Sequence, residues 1–501
     1  MLTDIVAYNV PFIPASDRRR FSQGLPATNY RSHERIRFEL RNHAYHTMTT
    51  SDKLLNLEIK QQLRRLLERC DLDEFVKIVC EARICDIPTE IIIKEAVAQL
   101  APVIYRDAYP AQVPHSLMML MSAFQAGKYL KRNQASAVAI QALWYAGQED
   151  RSRPYPLPSL SQGKEKVDLA KLEDAFKSRD FEKIMNLVCV SLADKKDFLI
   201  VRDRLMSLAL KDIANLGHKL IYLMKTVEYL EVARGVDYER VLFPAVHYLV
   251  CGPRDEEYFH LLDTKLKRLD IDPTEFLANQ GILSDDESRR LERVIIYQFP
   301  ALVIENFVYA LKQGIAIDEL FQVILAAASQ SILGAYRESW IFPIHAYNFT
   351  HEAWECFKRT SHALDKIHLL FMAALLTNKM ATESINPHKL LKWEAVYLSA
   401  TEISVHGLAS AIENSEPDSA AALVKSLIIE KPLAEIAEAL FLSAAKNDGG
   451  ICFGHDIKFC CHAIADYTRS RIPAREKFLI ALSYFLAEIE KDYDLYNALK
   501  V

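Results

Sequence analysis

Apolar residues recur at helical spacing along most of this chain. From Lys53 onward they fall three and four residues apart, which places them on one face of an α-helix. Glycine occurs only 14 times in 501 residues, well below its ordinary share of about 7%, and this scarcity disfavours β-rich architectures and glycine-rich phosphate loops. The pattern therefore predicts a wholly helical, all-α fold. Its clearest example is the run Leu54, Leu55, Leu57, Ile59, Leu63, Leu66 and Leu67.

A histidine stands at the head of an apolar helical run at four places, about 100 to 130 residues apart, and a second short helix follows each of them. Such spacing is typical of a duplicated helical unit with loops of variable length. We therefore predict a tandem repeat of four units of about 100 residues, arranged as two halves, with about four helices in each unit. The four histidines are His115, His218, His345 and His455.

Breaks in the helical pattern mark the boundaries between these units. The prolines within residues 151–163 disfavour helix, residues 281–288 are rich in Ser, Asp and Glu, and a third break lies near Asn386 and Pro387. Residues 1–52 have several turn residues and no helical period, and we interpret them either as an N-terminal arm or as disordered chain. The predicted units cover residues 53–150, 166–270, 289–378 and 391–501.

Composition narrows the class of protein. The formal net charge is -5, and no basic stripe indicates nucleic acid binding. Nine cysteines lie mostly within apolar runs and form no CxxC pair, which is typical of free thiols in a reducing compartment rather than of zinc ribbons or Rieske clusters. No apolar run reaches the roughly 18 residues of a membrane helix, and the N-terminus lacks the order of a secretory signal. We expect a cytoplasmic protein that binds neither nucleic acid nor membranes.

The recurring histidine offers the first candidate chemistry. At the N-terminal turn of a helix the macrodipole favours neutral imidazole, whose ring nitrogen can accept a proton or bind a metal ion. If the units pack about pseudo-twofold axes, the four histidines converge on shared cavities. The alternative is a structural histidine that bonds a neighbouring carbonyl group at each unit junction.

The second half carries two further histidines, because His351 follows His345 and His462 follows His455 on the same helix. A separation of seven residues places His455 and His462 on one face about 10 Å apart, too far for a single metal ion without additional ligands. Those ligands would come from the facing helix, namely His345, His351, Glu352 or Glu355. We predict a pocket between units three and four, with neither metal nor cofactor identified. Its predicted catalytic residues, acting as proton carriers or ligands, are His345, His351, His455 and His462.

Aromatic residues surround His345. Core packing explains them, and the alternative is a flat organic ligand that stacks between units. In the second interpretation Glu355 lies beside His351, since their i, i+4 spacing brings them to one helix face. The predicted substrate-binding residues are Trp340, Tyr347, Trp354 and Glu355.

Other metal and enzyme classes receive less support. A di-iron carboxylate site needs carboxylate-x-x-His pairs on two helices, and two pairs have that spacing, although chance predicts about as many. The zinc-protease motif HExxH begins at His351 but lacks its second histidine. The sequence contains no GxGxxG, Walker or GxSxG motif. The two carboxylate-histidine pairs are Glu257 with His260 and Asp365 with His368.

The segments 342–351 and 453–462, each with two histidines on a helix start, resemble the questin oxidase-like family of all-helical oxidoreductases. In that family, histidine-bearing helix starts line an internal pocket. The segments are also similar to helical modules that are fused to Rieske domains in some bacterial proteins. The resemblance implies a redox role on an aromatic or polyketide-like substrate.

Two functions of different classes remain. The first is a small-molecule-binding helical-repeat protein, an oxidoreductase with a histidine-lined pocket between the C-terminal units. The second is a noncatalytic helical-repeat scaffold that presents a groove to a partner protein. The first requires the histidines to converge, whereas the second places them at separate unit junctions.

Overall fold

The computed structural model describes residues 51–69, 72–84, 88–103, 113–148, 168–192, 194–233, 238–269, 272–386, 403–447 and 454–491. The predicted arm up to residue 50 and the proline-rich break at 151–163 lie outside the described residues. By its contacts the chain divides after Leu57, and apart from the helix that begins at Ser51 every feature discussed below lies in the compact unit Glu58–Val501. Of the first unit, residues 51–57 are described, and they form the beginning of a helix.

The described secondary structure is helical, which confirms the all-α prediction. Within the described ranges there are 21 α-helices, four short 3-10 helices and three isolated β-bridges. None of the described helices is long and apolar enough to cross a membrane. The α-helices are α1 Ser51–Arg69, α2 Leu72–Ile84, α3 Thr89–Leu100, α4 His115–Ala126, α5 Arg132–Gly147, α6 Leu169–Lys177, α7 Phe181–Ser191, α8 Lys195–Leu210, α9 Ala214–Val232, α10 Tyr238–Cys251, α11 Glu257–Arg268, α12 Asp285–Tyr297, α13 Pro300–Lys312, α14 Ile317–Gly334, α15 Ile341–Arg359, α16 Ala363–Ser384, α17 Val405–Glu413, α18 Pro417–Glu430, α19 Leu433–Ala444, α20 His455–Arg469 and α21 Glu476–Glu488.

Short polar side chains fix where several helices begin. Asp168, Asp180 and Asp194 accept hydrogen bonds from backbone amides in the first turns of α6, α7 and α8. Ser284 and Glu287 form a reciprocal capping box at the start of α12. This capping box lies inside the predicted break at 281–288, so the Ser- and acid-rich composition there encodes a helix start.

Four histidine-bearing helices pack against one another in a ring. In chain order, α4 contacts α9, α9 contacts α15, and α15 contacts α20, while α20 contacts α4. The ring of helices is covered by others, and α14, α16 and α21 enclose α15 and α20. Residues 343–354 of α15 are all buried. Because a helix buried on all sides cannot expose its polar side chains, those of α15 must find partners inside the protein.

Candidate metal centre

Four imidazole rings from four different helices meet at one point. His115 Nε2 lies 2.9 Å from His218 Nε2, which lies 3.0 Å from His345 Nε2. His345 Nε2 lies 3.0 Å from His455 Nε2. The four rings can each offer a nitrogen such that all four atoms lie within 4.8 Å of one another. We call His115, His218, His345 and His455 the four-histidine cluster.

Backbone carbonyl groups fix the proton position on three of these rings. His115 Nδ1 donates to the Val113 carbonyl at 3.1 Å, and His345 Nδ1 donates to the Ile341 carbonyl at 2.6 Å. His218 Nδ1 donates to the carbonyl of Asn215. Since a carbonyl oxygen can only accept, the proton resides on Nδ1, and the Nε2 lone pair of each neutral ring faces the cluster. Metal-binding histidines are typically oriented in this way.

Burial keeps the rings neutral. Burial and, to a smaller extent, the positive charge of Lys458 lower the pKa of His218 to about 3, although the hydrogen bond to Asn215 opposes the shift. The pKa values of His115, His345 and His455 are well below the usual range, chiefly through burial and through the charges of Lys458 and the neighbouring histidines. At neutral pH the cluster therefore presents uncharged imidazoles, the form that binds metal ions.

The rings follow one another around the cluster in chain order. Ring centroids of successive histidines are 4.8, 4.4 and 4.5 Å apart, and those of His115 and His455 close the circuit at 5.2 Å. The diagonal between His218 and His455 is longer, at 6.4 Å. Around a metal with bonds of about 2.05 Å to nitrogen, adjacent ligands are about 2.9 Å apart in a square and about 3.3 Å apart in a tetrahedron. The three Nε2 separations given above are closer to the value for a square.

Two glycines allow the histidine helices to approach so closely. Gly217 and Gly454 directly precede His218 and His455 and adopt left-handed φ values of 80° and 66°. A Cβ on Gly454 would lie 2.7 Å from Cγ of Met119, and one on Gly217 would overlap Cδ2 of Phe349. Met119 and Phe349 each lie four residues after a cluster histidine, His115 and His345. Glycine therefore fits both the backbone conformation and the contact with the next histidine helix.

A second group of ligand-type side chains lies further along α15 and α20, and we call His351, Glu352 and His462 the lower cluster. Their ligand atoms also lie within 4.8 Å of one another. The rings of His351 and His462 stack with centroids 3.9 Å apart and planes at 10°. His462 Nε2 is 3.1 Å from Glu352 Oε1. All three side chains are buried.

The opposite nitrogens of the lower-cluster rings have polar partners. His351 Nδ1 lies 2.9 and 3.0 Å from the two carboxylate oxygens of Asp466. His462 Nδ1 lies 2.8 Å from Oδ1 of Asn348. Asp466 is itself held by Arg469 at 2.5 Å, and the Arg469 and His351 charges lower its pKa despite burial.

Lys225 supplies positive charge beside the lower cluster. Its Nζ lies 3.2 Å from Glu352 Oε1 and 3.0 Å from Glu228 Oε2 and Gln125 Oε1. Burial and the charge of Glu228 raise the pKa of Glu352 to about 7, although Lys225 opposes the shift. Burial disfavours the charge on Lys225, but Glu228 and Glu352 hold its pKa above the usual range.

The structure distributes the predicted catalytic residues between two sites. His345 and His455 join His115 and His218, whereas His351 and His462 form the lower cluster with Glu352. His115 and His218 were absent from the predicted catalytic set because few polar residues surround them in sequence. The signal that identifies them is their equivalent position at a helix start. No sequence pattern identified the residues that support the lower cluster, namely Asn348, Asp466 and Lys225.

The predicted substrate-binding residues lie around the two clusters. The ring of Trp340 is 6.2 Å from that of His455, and Tyr347 packs on Phe459. Trp354 Nε1 donates to Asp318 Oδ1 at 2.6 Å, and the Arg469 guanidinium lies 3.7 Å above its ring. Glu355 pairs with three cations, namely Lys358, Arg359 and Arg469.

The carboxylate-histidine pairs considered for a di-iron site lie elsewhere. The His260 side chain is 72% exposed. His368 is buried and packs on Phe259, with ring centroids 5.0 Å apart. Among the residues that the structure describes, neither pair joins a group of three or more metal-ligating side chains.

Comparison of the chain with protein-family models, with curated proteins and with solved structures finds no match.

Proposed function

We propose that this protein is a metalloprotein whose four-histidine cluster binds one redox-active transition-metal ion, and that this centre serves an oxidoreductase acting on a small molecule. The observation that supports the proposal is the convergence of four Nε2 atoms from helices α4, α9, α15 and α20 at separations of 2.9 to 3.0 Å. The ligands are remote in sequence, so their meeting reflects the tertiary fold rather than local spacing.

A purely structural role explains this arrangement poorly. Carbonyl groups hold the Nδ1 protons of His218 and His345, so their Nε2 lone pairs face each other at 3.0 Å where neither ring can donate. Facing acceptors repel, and buried polar groups without compensating bonds are costly. A cation between them turns the repulsion into attraction.

The ligand set favours copper. Four nitrogens in a square or tetragonal arrangement are typical of Cu(II) or Ni(II), whereas structural zinc prefers a tetrahedron. Of copper and nickel, copper is the metal that readily changes oxidation state with imidazole ligands. The buried cation Lys458 lies close enough to lower the pKa of the histidines, and the same charge favours the less positive, reduced metal.

The predicted repeat of four helical units is consistent with the proposed metal centre. Each of the four predicted units contributes one histidine from the first turns of a helix: His115 and His455 begin α4 and α20, and His345 is the fifth residue of α15. The two glycines that precede His218 and His455 each meet a side chain four residues after a cluster histidine. A redox role also agrees with the resemblance to questin oxidase-like proteins. The scaffold alternative needs histidines at separate unit junctions, and their convergence favours the metal centre.

Copper loading of the full chain tests the proposal. After removal of excess Cu²⁺, elemental analysis is expected to find a bound ion whose electron paramagnetic resonance spectrum shows hyperfine coupling to several nitrogens. The His345→Ala variant should lose this signal, and the matched His368→Ala variant, which removes a buried histidine outside the cluster, should keep it. Ascorbate should reduce the bound ion, and air should reoxidise it.

Retention of the same spectrum in His345→Ala would refute the assignment of the ligands. Failure of the wild-type chain to bind Cu²⁺ or Ni²⁺ would refute the metal centre. A bound ion that ascorbate cannot reduce would remove the redox part of the proposal and leave the binding part intact.

A further inference from the structure

We infer that His351, Glu352 and His462 form a second metal site, in which two histidines and one carboxylate bind a divalent ion such as Fe²⁺ below the four-histidine cluster. The three side chains come from α15 and α20, the helices that also carry His345 and His455. Six or seven residues along a helix correspond to about 9 to 10 Å, so one ion cannot occupy both sites. The inference rests on the lower cluster alone and is independent of the proposed copper centre.

The first argument is orientation. Asp466 accepts from His351 Nδ1, and Asn348 Oδ1 accepts from His462 Nδ1, so both Nε2 atoms present lone pairs. A carboxylate or amide oxygen behind a histidine is the usual support for a metal ligand, because it fixes the ring and makes the coordinating nitrogen more basic. Arg469 in turn holds Asp466 in place.

The second argument is the set of buried acceptors that face one another. Within the described part of the chain, both oxygens of Glu352 and Nε2 of His462 make no hydrogen bond of acceptable geometry, although Lys225 and His462 approach Glu352 Oε1 to 3.2 and 3.1 Å. Glu352 is 0% exposed and His462 is 1% exposed. Acceptors buried to this extent normally have partners, and a cation placed among them would satisfy all three.

Lys225 balances charge at the site with or without an ion. It lies 3.2 Å from Glu352 and also 3.0 Å from both Glu228 and Gln125. Lys225 can therefore withdraw from Glu352 and keep two partners when an ion binds. Glu352 then contributes one negative charge to the divalent cation, while Glu228 stays paired with Lys225 and Asp466 with Arg469.

The ligand set identifies the class of metal. Two histidines and one carboxylate that leave other coordination positions open are typical of non-haem Fe(II) sites. The four-histidine cluster contains no carboxylate, so the two sites are expected to differ in their preferred metal.

The test uses anaerobic Fe²⁺ on the full chain carrying His345→Ala, so that the four-histidine cluster is disabled. This variant is expected to bind one equivalent of Fe²⁺, and X-ray absorption should show nitrogen and oxygen ligands. Adding Glu352→Gln, which preserves shape and removes the charge, should abolish binding. Adding Glu319→Gln, which alters a buried carboxylate on α14, should leave binding unchanged. Thermal unfolding of each variant verifies that it is folded.

Binding of one Fe²⁺ that survives Glu352→Gln would overturn the inference, as would the absence of Fe²⁺ binding in folded His345→Ala. The latter result corresponds to the alternative tautomer, in which Asn348 donates to His462 Nδ1 and His462 Nε2 donates to Glu352. If Glu352→Gln does not fold, His462→Gln replaces it with the same expected loss. A failed copper centre would leave these Fe²⁺ results unchanged, so the two proposals are separable.

Discussion

Replacing Gly217 with alanine is expected to destabilise the protein through two separate effects. The residue has a φ of 80°, and a left-handed conformation costs an L-residue about 1 to 2 kcal/mol. Its new Cβ would overlap Cδ2 of the buried Phe349 and lie 3.0 Å from Cδ2 of Leu376. Overpacking of a core costs about 1 to 3 kcal/mol. The expected loss is therefore about 2 to 5 kcal/mol of unfolding free energy.

Gly314 provides the matched control. Its φ of 82° is almost the same, but a Cβ there would meet nothing within 4 Å. Gly314→Ala should therefore lose only the backbone part, about 1 to 2 kcal/mol. Urea unfolding of the full chain, followed by circular dichroism, measures both variants under the same conditions.

A double variant isolates the contact. In Gly217→Ala combined with Phe349→Leu, the smaller side chain should relieve the overlap, so the combined loss should be smaller than the sum of the two single losses. Equal losses for Gly217→Ala and Gly314→Ala would refute the reasoning that close helix approach requires Gly217. Strict additivity in the double variant would refute it as well.

Three other predictions concern acid stability, a buried ion pair and metal binding. Burial lowers the pKa of His368 to about 4. Below pH 6.5 this histidine therefore becomes protonated in the unfolded chain, whereas in the folded chain it stays neutral until the pH nears 4. Stability should therefore fall as pH decreases from 6.5 to about 4, by about 3 kcal/mol for this group. Unfolding measured across this range should be less pH-dependent in His368→Gln, and the exposed His260 gives the control variant; an unchanged slope would contradict the assignment. Lys477 lies 2.5 Å from Glu292 in a buried ion pair, and Lys477→Met should cost about 3 to 5 kcal/mol because it removes the cation beside a buried carboxylate. The Lys477→Met, Glu292→Leu double variant should recover most of that loss in urea unfolding, and no recovery would argue against this cause. Finally, Cu²⁺ at about 100 times its dissociation constant should stabilise the folded chain by about 2.7 kcal/mol. The rise in melting temperature should disappear in His218→Ala, and its persistence there would count against the four-histidine site.

Sequence patterns predicted the helices well because local spacing determines which face of a helix is apolar. The start of α12 is an exception, because Ser284 and Glu287, three residues apart, form a local capping box within residues that the pattern predicted as a break. Helix geometry also explains why the histidines of one helix belong to two clusters. His455 and His462 share a face but lie about 10 Å apart along the axis, so they belong to different clusters even though they share a helix.

The partners of each cluster could not be predicted in the same way. The meeting of α4 with α20 depends on tertiary packing between segments more than 300 residues apart. Asn348 lies three residues before His351 and Asp466 lies four residues after His462, and this spacing does not distinguish them from the other polar residues of α15 and α20. Only the fold shows that both face histidine rings. The predicted pocket set therefore combined residues of two sites and omitted their supporting side chains.

The sequence separation of the four histidines has a consequence for how the protein folds. Successive ligands are 103, 127 and 110 residues apart, so closing the ring brings together segments from most of the polypeptide. During synthesis at about 5 to 20 residues per second, the last ligand, His455, leaves the ribosome long after the first. A metal ion that needs all four rings would therefore bind the completed chain and not the nascent one. With the proposed ion bound, late closure of this kind would make metal binding a final step of maturation, and chains truncated before α20 would lack the fourth ligand.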